Sequence, residues 1–443
     1  MVAITGALPT LLGVTARAGV VVTGTEVLTG RVTDRNGPWL AERLRELGVD
    51  VAQVVVVGDR AEDLRAVLAF FAASGVDVVF TSGGLGPTAD DLTALTVGDA
   101  QGRPSSLDEE LEARISAIVE ALAAGRGWRV DREGMRAGTR KQAMVPAGAE
   151  VIEPIGTAPG LVVPVADGRT GPPVVVLPGP PRELQGMWPA VVASPLFRAA
   201  IAGAVELRQH TLRLWGTPES DIAVTLRELG SSLDGLEITT CLRDGGELEI
   251  VTRYGPDAQP AYDAFTAAVA AAYPDTLFSP DGATVDALVA AALGERGWTV
   301  GVGESCTGGL LTGRLTAAPG SSAYVQGGTV AYSNDAKNTL LDVPLEVLAA
   351  HGAVSEEVAH AMARGARQRF GADVGVGVTG IAGPGGGTPD KPVGLVHLCV
   401  VTPERTLTRR VQVPGGRDDV RTRTTAVALH LLREALHRAP EAR

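Results

Sequence analysis

Apolar and polar positions divide the chain into three stretches of different rhythm. In the first, Val20–Thr23, Val51–Val57 and Val76–Thr81 are short, largely apolar and rich in valine. Such runs predict parallel strands covered on both faces. Between the first two, Leu40, Leu44 and Leu47 form one stripe from Asn36, a candidate cap, to Gly48, a candidate stop. Glu62–Ala73 predicts the next helix, so the order is βαβαβ, a doubly wound sheet. Leu161–Val165 and Val174–Leu177 flank a polar loop and predict a hairpin that completes this domain, residues 19–180.

Residues 181–277 change rhythm. Strand Thr211–Leu214, helix Pro218–Leu229, strands Leu236–Cys241 and Leu248–Thr252, and helix Ala261–Ala272 give βαββα, a small α+β domain with a KH-like order. Its acidic excess and its lack of a basic Gly-x-x-Gly loop favour a structural spacer over an RNA binder. A linker is expected at 278–282. Residues 283–437 then alternate again: helix Ala283–Glu295, strands Thr299–Val302, Thr329–Tyr332, Val374–Val378 and Leu395–Val401, amphipathic helix Ser355–Phe370 and terminal helix Thr422–Leu436. The fold class is α/β, with two α/β domains around a small α+β one.

Composition narrows the function. The 443 residues are 45% apolar and 20% charged, enough for packed cores, and the net charge of −12 disfavours nucleic acid and anionic membranes as partners. No membrane span is expected, and three cysteines suit a reducing, cytoplasmic setting rather than a disulfide scaffold. Residues 1–18 end in Ala16-Arg17-Ala18 but carry no basic residue before Arg17, so they read as a disordered extension rather than a signal peptide. Of 39 basic residues only Lys141, Lys337 and Lys391 are lysine. In an arginine-rich chain, a lysine can mark a place that needs an amine able to lose its proton.

Two loops carry chemistry. Gly303-Glu-Ser-Cys-Thr-Gly-Gly309 joins an apolar strand to an apolar helix and fits neither a dinucleotide fingerprint, a Walker A loop nor a nucleophile elbow. What remains is Ser305 beside helix-start N–H groups that can hold an oxyanion or phosphate, or alternatively a capping serine with turn glycines. Lys337 is the candidate base, since desolvation lowers a lysine pKa, and Tyr332 could position the proton. The second loop, Ser82-Gly-Gly-Leu-Gly-Pro-Thr-Ala-Asp-Asp91, also follows a strand. It can admit a phosphate to the backbone and hold a magnesium-like cation on Asp90 and Asp91, or it is a helix start capped by Thr88. With Gly24-Thr25-Glu26 and Gly58-Asp59 it forms a rim at parallel strand ends.

Further motifs accompany these loops in a fixed order: Pro319-Gly-Ser-Ser322, Tyr332-Ser-Asn-x-x-Lys337, Gly352-Ala-Val-Ser-Glu356, Thr379-Gly-Ile-Ala-Gly-Pro-x-Gly-Gly387, Lys391-Pro-Val-Gly394 and Gly416-Arg417-x-x-Val-Arg421. The set resembles the C-terminal, nicotinamide-nucleotide amidase domain of the CinA family. The resemblance implies hydrolysis of nicotinamide mononucleotide to nicotinate mononucleotide and ammonia, with Ser305 as nucleophile, Lys337 as base, Tyr332 as assisting hydroxyl and no cofactor. Thr307, Gly308 and Gly309, or Arg417 and Arg421, are candidates for the phosphate, and Thr379 and Gly380 for the pocket lining. Gly383–Gly387 reads equally as pocket or surface loop, and Lys391 as a structural contact.

Gly24-Thr-Glu-x-Leu-x-Gly30, Asp34-x-Asn36, Gly58-Asp59, Gly83–Asp91, Arg140-Lys141-Gln-Ala143, Gly156-Thr-Ala-Pro-Gly160 and Leu177-Pro-Gly-Pro-Pro-x-Glu183 resemble the N-terminal domain of the same family, itself similar to molybdopterin-binding domains. The resemblance implies metal-dependent hydrolysis of ADP-ribose to AMP and ribose 5-phosphate. Its site residues would be Glu26, Asn36, Asp59, Gly83, Gly84, Gly86, Thr88, Asp90 and Asp91, with a divalent cation (magnesium or similar) on Asp90 and Asp91. It also implies a homodimer. The alternative is an N-terminal domain that only binds a pterin or nucleotide.

Overall fold

The computed structural model describes residues 16–126, 132–243 and 245–437. The expected extension lies outside these residues up to Thr15, whereas the first strand already begins at Arg17. The chain forms two compact units. One contains His210–Thr252 and the chain from Pro260 onward, and the other contains the chain up to Gln209 with Arg253–Gln259.

The N-terminal unit is built on a six-stranded sheet, in order Asp50–Val57, Arg17–Thr23, Val78–Ser82, Val174–Leu177, Gly160–Val163, Glu150–Ile152. The first four strands are parallel, with Val20 level with both Val54 and Phe80. The last two are antiparallel and include the expected hairpin, which aligns Leu161 with Val176. Val20, Val21 and Val22 are all buried because helices cover both faces. Leu40 and Leu44 pack on one side with Met187 and Val191, and Leu64, Leu68 and Phe71 pack on the other.

The small α+β module, expected from residue 181, differs at both ends: residues up to Gln209 belong to the N-terminal unit, with Met187 and Val191 of helix Pro181–Ala193 in its core. Leu277–Ser279, at the expected linker, is a fourth strand, giving the order Leu236–Leu242, Glu247–Tyr254, Arg208–Trp215, Leu277–Ser279. It pairs antiparallel with Arg208–Trp215. Its Phe278 and the neighbouring Trp215 pack on the core beside the terminal helix. There His430 is fully buried, stacked on Trp215 at 4.1 Å, with Nε2 2.9 Å from Glu247 Oε1.

The C-terminal sheet has five strands, in order Val325–Val330, Val300–Glu304, Val374–Gly380, Leu395–Val401, Thr406–Gln412. The first three are parallel and the last two antiparallel additions. The alternation Val374-Gly-Val-Gly-Val378 lets helix Glu356–Arg369 lie directly on the sheet. A Cβ at Gly375 or Gly377 would overlap the carbonyls of Ala363 or Ala359. Two boundaries move relative to expectation. The strand expected at Thr329–Tyr332 ends at Val330, and the terminal helix begins at Arg417, placing Arg417 and Arg421 on its first two turns. Among the described residues no helix is long and apolar enough to cross a membrane.

Candidate functional sites

Ser305 follows the last residue of strand Val300–Glu304, its N–H donating to Val378 O at 2.9 Å. Helix Asn334–Leu341 starts on the Ser333 cap, whose Oγ accepts from Ala336 N, and carries Lys337 one turn in. The lysine side chain folds back under the incoming chain. Its Nζ lies 3.1 Å from Ser305 Oγ, 3.0 Å from Ala331 O and 3.1 Å from Tyr332 O, at 1% exposure. Burial pulls its pKa below the usual lysine range. A neutral amine has two N–H donors and one lone pair. The protonated amine can donate to all three oxygens, and once it loses a proton the two carbonyls can hold both N–H groups and leave the lone pair for the Ser305 proton.

The loop after Ser305 is held by a residue that the sequence reading passed over. Glu304 is fully buried and its carboxylate caps the following helix. Oε2 accepts from Gly309 N at 2.9 Å and Leu311 N at 3.1 Å, and Oε1 from Thr312 N at 2.8 Å and Thr312 Oγ1 at 2.6 Å. The available signal was an acidic residue closing an otherwise apolar strand. This capping corrects the expected phosphate cradle, because Gly309 N–H serves Glu304 and Gly308 N–H serves Ser305 O. Among the described residues the N–H groups of Cys306 and Thr307 donate to no backbone carbonyl, and both face the Cys306 sulfur. The Cys306 thiol is pushed up to about 12 by burial and stays protonated.

The remaining candidates of this site are brought together with corrected roles. The Tyr332 side chain is 58% exposed, and its hydroxyl accepts from Arg417 at 2.8 Å. Only its backbone carbonyl touches Lys337. Arg417 also donates to Gly383 O, bridging it to Tyr332, and Arg421 donates to Thr307 O at 3.3 Å, so the Arg421 guanidinium borders the serine loop. Thr379 is 1% exposed and its hydroxyl donates to Ala353 O at 2.7 Å. Gly380 leaves room for Cys306, whose Sγ would stand 3.1 Å from a Cβ there. Lys391 ties its loop to the carbonyls of His351 and Val354.

In the N-terminal unit a cleft of about 680 Å³ opens at the C-terminal ends of the four parallel strands. Glu26, Asn36, Asp59, Gly83, Gly84, Gly86, Asp90 and Asp91 all line it. Asn36 does not cap its helix. Asp34 Oδ1 does so, accepting from Asn36 N and Gly37 N, while Asn36 Nδ2 pins Ser82 Oγ at 2.8 Å and Gly179 O at 2.6 Å. Asp59 Oδ2 accepts from Thr25 N at 2.8 Å. The next helix starts only at Thr93, so Thr88 is not its cap. Instead Thr88 Oγ1 sits 2.5 Å from Asp90 Oδ1 and 2.6 Å from Asp91 Oδ2, and Lys141 holds Thr88 O. The Thr88 hydroxyl keeps the Asp90 carboxyl below the usual carboxylate range.

The donor set bears on the expected cation. Among the described residues no group of three or more His, Cys, Asp or Glu side chains forms a metal cage. Two adjacent carboxylates suit a hard divalent ion that keeps most of its shell as water and phosphate oxygen. The two carboxylates fit such an ion in that limited sense.

With the two sites described, comparison with known proteins assigns the family. Residues 282–436 match the CinA C-terminal domain and residues 19–198 a probable molybdopterin binding domain. A CinA-like protein of Mycobacterium sp. (strain JLS) is 57% identical over 425 residues, covering 95% of this chain and 99% of that relative. The CinA-like protein of Mycobacterium tuberculosis is 53% identical over 436 residues, covering 97% and 99%. The solved structure of a competence/damage inducible protein from Agrobacterium tumefaciens shares 43% identity over 35% of this chain and 96% of its own, with a TM-score of 0.33. Identity above one half along nearly the whole chain makes the assignment: the chain belongs to the CinA-like proteins and carries a molybdopterin-binding-like domain ahead of a CinA C-terminal domain.

Proposed function

We propose that the C-terminal site hydrolyses the carboxamide of nicotinamide mononucleotide. The observation that carries this reading is the buried Lys337 Nζ, 3.1 Å from Ser305 Oγ. Ser305 Oγ attacks the amide carbon, which the pyridinium ring makes electrophilic, and its proton passes to Lys337 Nζ. Lys337 returns the proton to the leaving nitrogen, and ammonia departs from a seryl ester. Water then cleaves the ester, giving nicotinate mononucleotide and restoring Ser305. The N–H groups of Cys306 and Thr307, directly after the nucleophile, are suited to the developing oxyanion. Arg421, beside the loop, and Arg417, between Tyr332 and Gly383, are suited to the phosphate as fork-shaped cations. The test is ammonia release from nicotinamide mononucleotide in the presence of chelator. Wild type should release it, and Ser305→Ala and Lys337→Arg should not. A Lys337→Arg protein that folds and retains activity would sink the role of the amine.

A second activity, metal-dependent hydrolysis of ADP-ribose to AMP and ribose 5-phosphate, is supported by the sign of the N-terminal cleft. Its lining includes Glu26, Asp34, Asp59, Asp90, Asp91 and Glu183 against a single arginine, Arg35. A dianionic diphosphate is repelled by such a lining unless a cation accompanies it. Asp90 and Asp91 would hold that cation, which would neutralise the diphosphate. Asp90→Asn with Asp91→Asn should abolish AMP release in added magnesium. Retention of ADP-ribose or a pterin by wild type without turnover would favour a binding role instead.

A further inference from the structure

One carboxyl in the N-terminal cleft stands apart from the others. Asp34 caps a helix, Asp59 receives the Thr25 N–H, and Asp90 and Asp91 receive Thr88. Glu26 is exposed. Glu183, in the first turn of helix Pro181–Ala193, lines the same cleft half-buried, and its carboxylate has no hydrogen bond or ion pair among the described residues. The fold makes room for it. A Cβ at Gly156 would overlap both carboxyl oxygens, although the Gly156 backbone itself does not require glycine. A carboxyl with a reserved place and no structural partner is available for a ligand.

We propose that Glu183 is the base that removes a proton from the water attacking the diphosphate. The inference rests on the ADP-ribose reading of this cleft. Water oxygen forms a bond to one phosphorus as the bridging P–O bond breaks. One water proton goes to the Glu183 carboxylate, and the electron pair of the broken bond leaves on the second phosphate, a weak base that needs no proton to depart. Glu183 then returns its proton to solvent. Burial raises the pKa of this carboxyl, which brings it nearer to neutral pH, where a carboxylate base is most effective. The charges sharing its cleft are Glu26, Asp34, Asp59, Asp90, Asp91 and Arg35.

The experiment measures AMP release from ADP-ribose by the full chain in added magnesium across pH, for wild type, Glu183→Gln and Gly156→Ala. Thermal melts run alongside. The proposal expects kcat to fall at least about 100-fold in Glu183→Gln with KM little changed, and the acidic limb of the wild-type profile to vanish. Gly156→Ala, which displaces the carboxyl, should lose kcat in the same way. A folded Glu183→Gln with wild-type kcat and an unchanged acidic limb would overturn the assignment of the base while leaving the activity standing. Wild type that releases no AMP would overturn the reading of the cleft and the base with it.

Discussion

Replacing Glu304 by Gln tests the local architecture of the serine loop. The four donors around its carboxylate are three backbone N–H groups and one hydroxyl. A glutamine amide must place its NH₂ on one side. On the Gly309 and Leu311 side it would face two N–H groups that cannot accept. On the Thr312 side it faces one N–H, while the Thr312 hydroxyl can turn and accept from it. The second orientation is therefore the cheaper, and it orphans one buried N–H at about 1–3 kcal/mol. Loss of the negative charge at the helix start adds about 0.3–1 kcal/mol. A total of about 1–4 kcal/mol lowers the melting transition of this unit by roughly 3–16 °C. Thr312→Val, which removes only the hydroxyl, should cost about 1 kcal/mol, because Oε1 keeps the Thr312 N–H. Differential scanning calorimetry on the two variants reads both shifts. A Glu304→Gln shift below about 1 °C, or one smaller than that of Thr312→Val, would refute the capping role.

Three other outcomes are expected. Amidase kcat/KM should rise with pH as Lys337 loses its proton, with the limb centred below the ordinary lysine value of about 10.4; a limb at or above that value would contradict a desolvated base. Burial lowers the His430 pKa, so the folded state binds fewer protons than the unfolded one, and stability should fall as pH drops through about 6.5. Melting temperatures of a Glu247→Gln/His430→Phe double variant should depend less on pH between 7.5 and 5 than those of wild type, and an equal slope would refute this. Gly377→Ala forces a Cβ into the Ala359 carbonyl and should cost about 1–3 kcal/mol in denaturant unfolding, whereas Gly313→Ala, where nothing stands nearby, should be neutral or stabilising.

Much of the chain's organisation could be read from short-range patterns. Runs such as Val20–Thr23 and Val76–Thr81 announce covered parallel strands because both faces must be apolar, and the stripe Leu40, Leu44, Leu47 announces its helix. The rarity of lysine pointed to useful places. Lys141, Lys337 and Lys391 all hold backbone carbonyls, and Lys337 also reaches Ser305 while Lys141 holds Thr88 in the second loop. Ser305 and Lys337 were legible because the strand-to-helix turn and the lysine each carry a local signature.

What the sequence could not determine depends on which donor meets which acceptor across the fold. Asn36 has the composition of a cap, yet Asp34 caps that helix and Asn36 reaches Gly179 O, far along the chain. Tyr332 sits at motif spacing from Lys337, but its hydroxyl goes to Arg417, because the strand ends at Val330 and leaves the ring outside. Leu277–Ser279 reads as linker because three residues carry no periodicity, and only pairing with Arg208–Trp215 makes them a strand. Sequence alone specified the elements and the chemical groups available, since propensity and patterning act over a few residues. Tertiary structure alone decided the partners, because a buried polar group bonds to whatever the packing brings within about 3 Å.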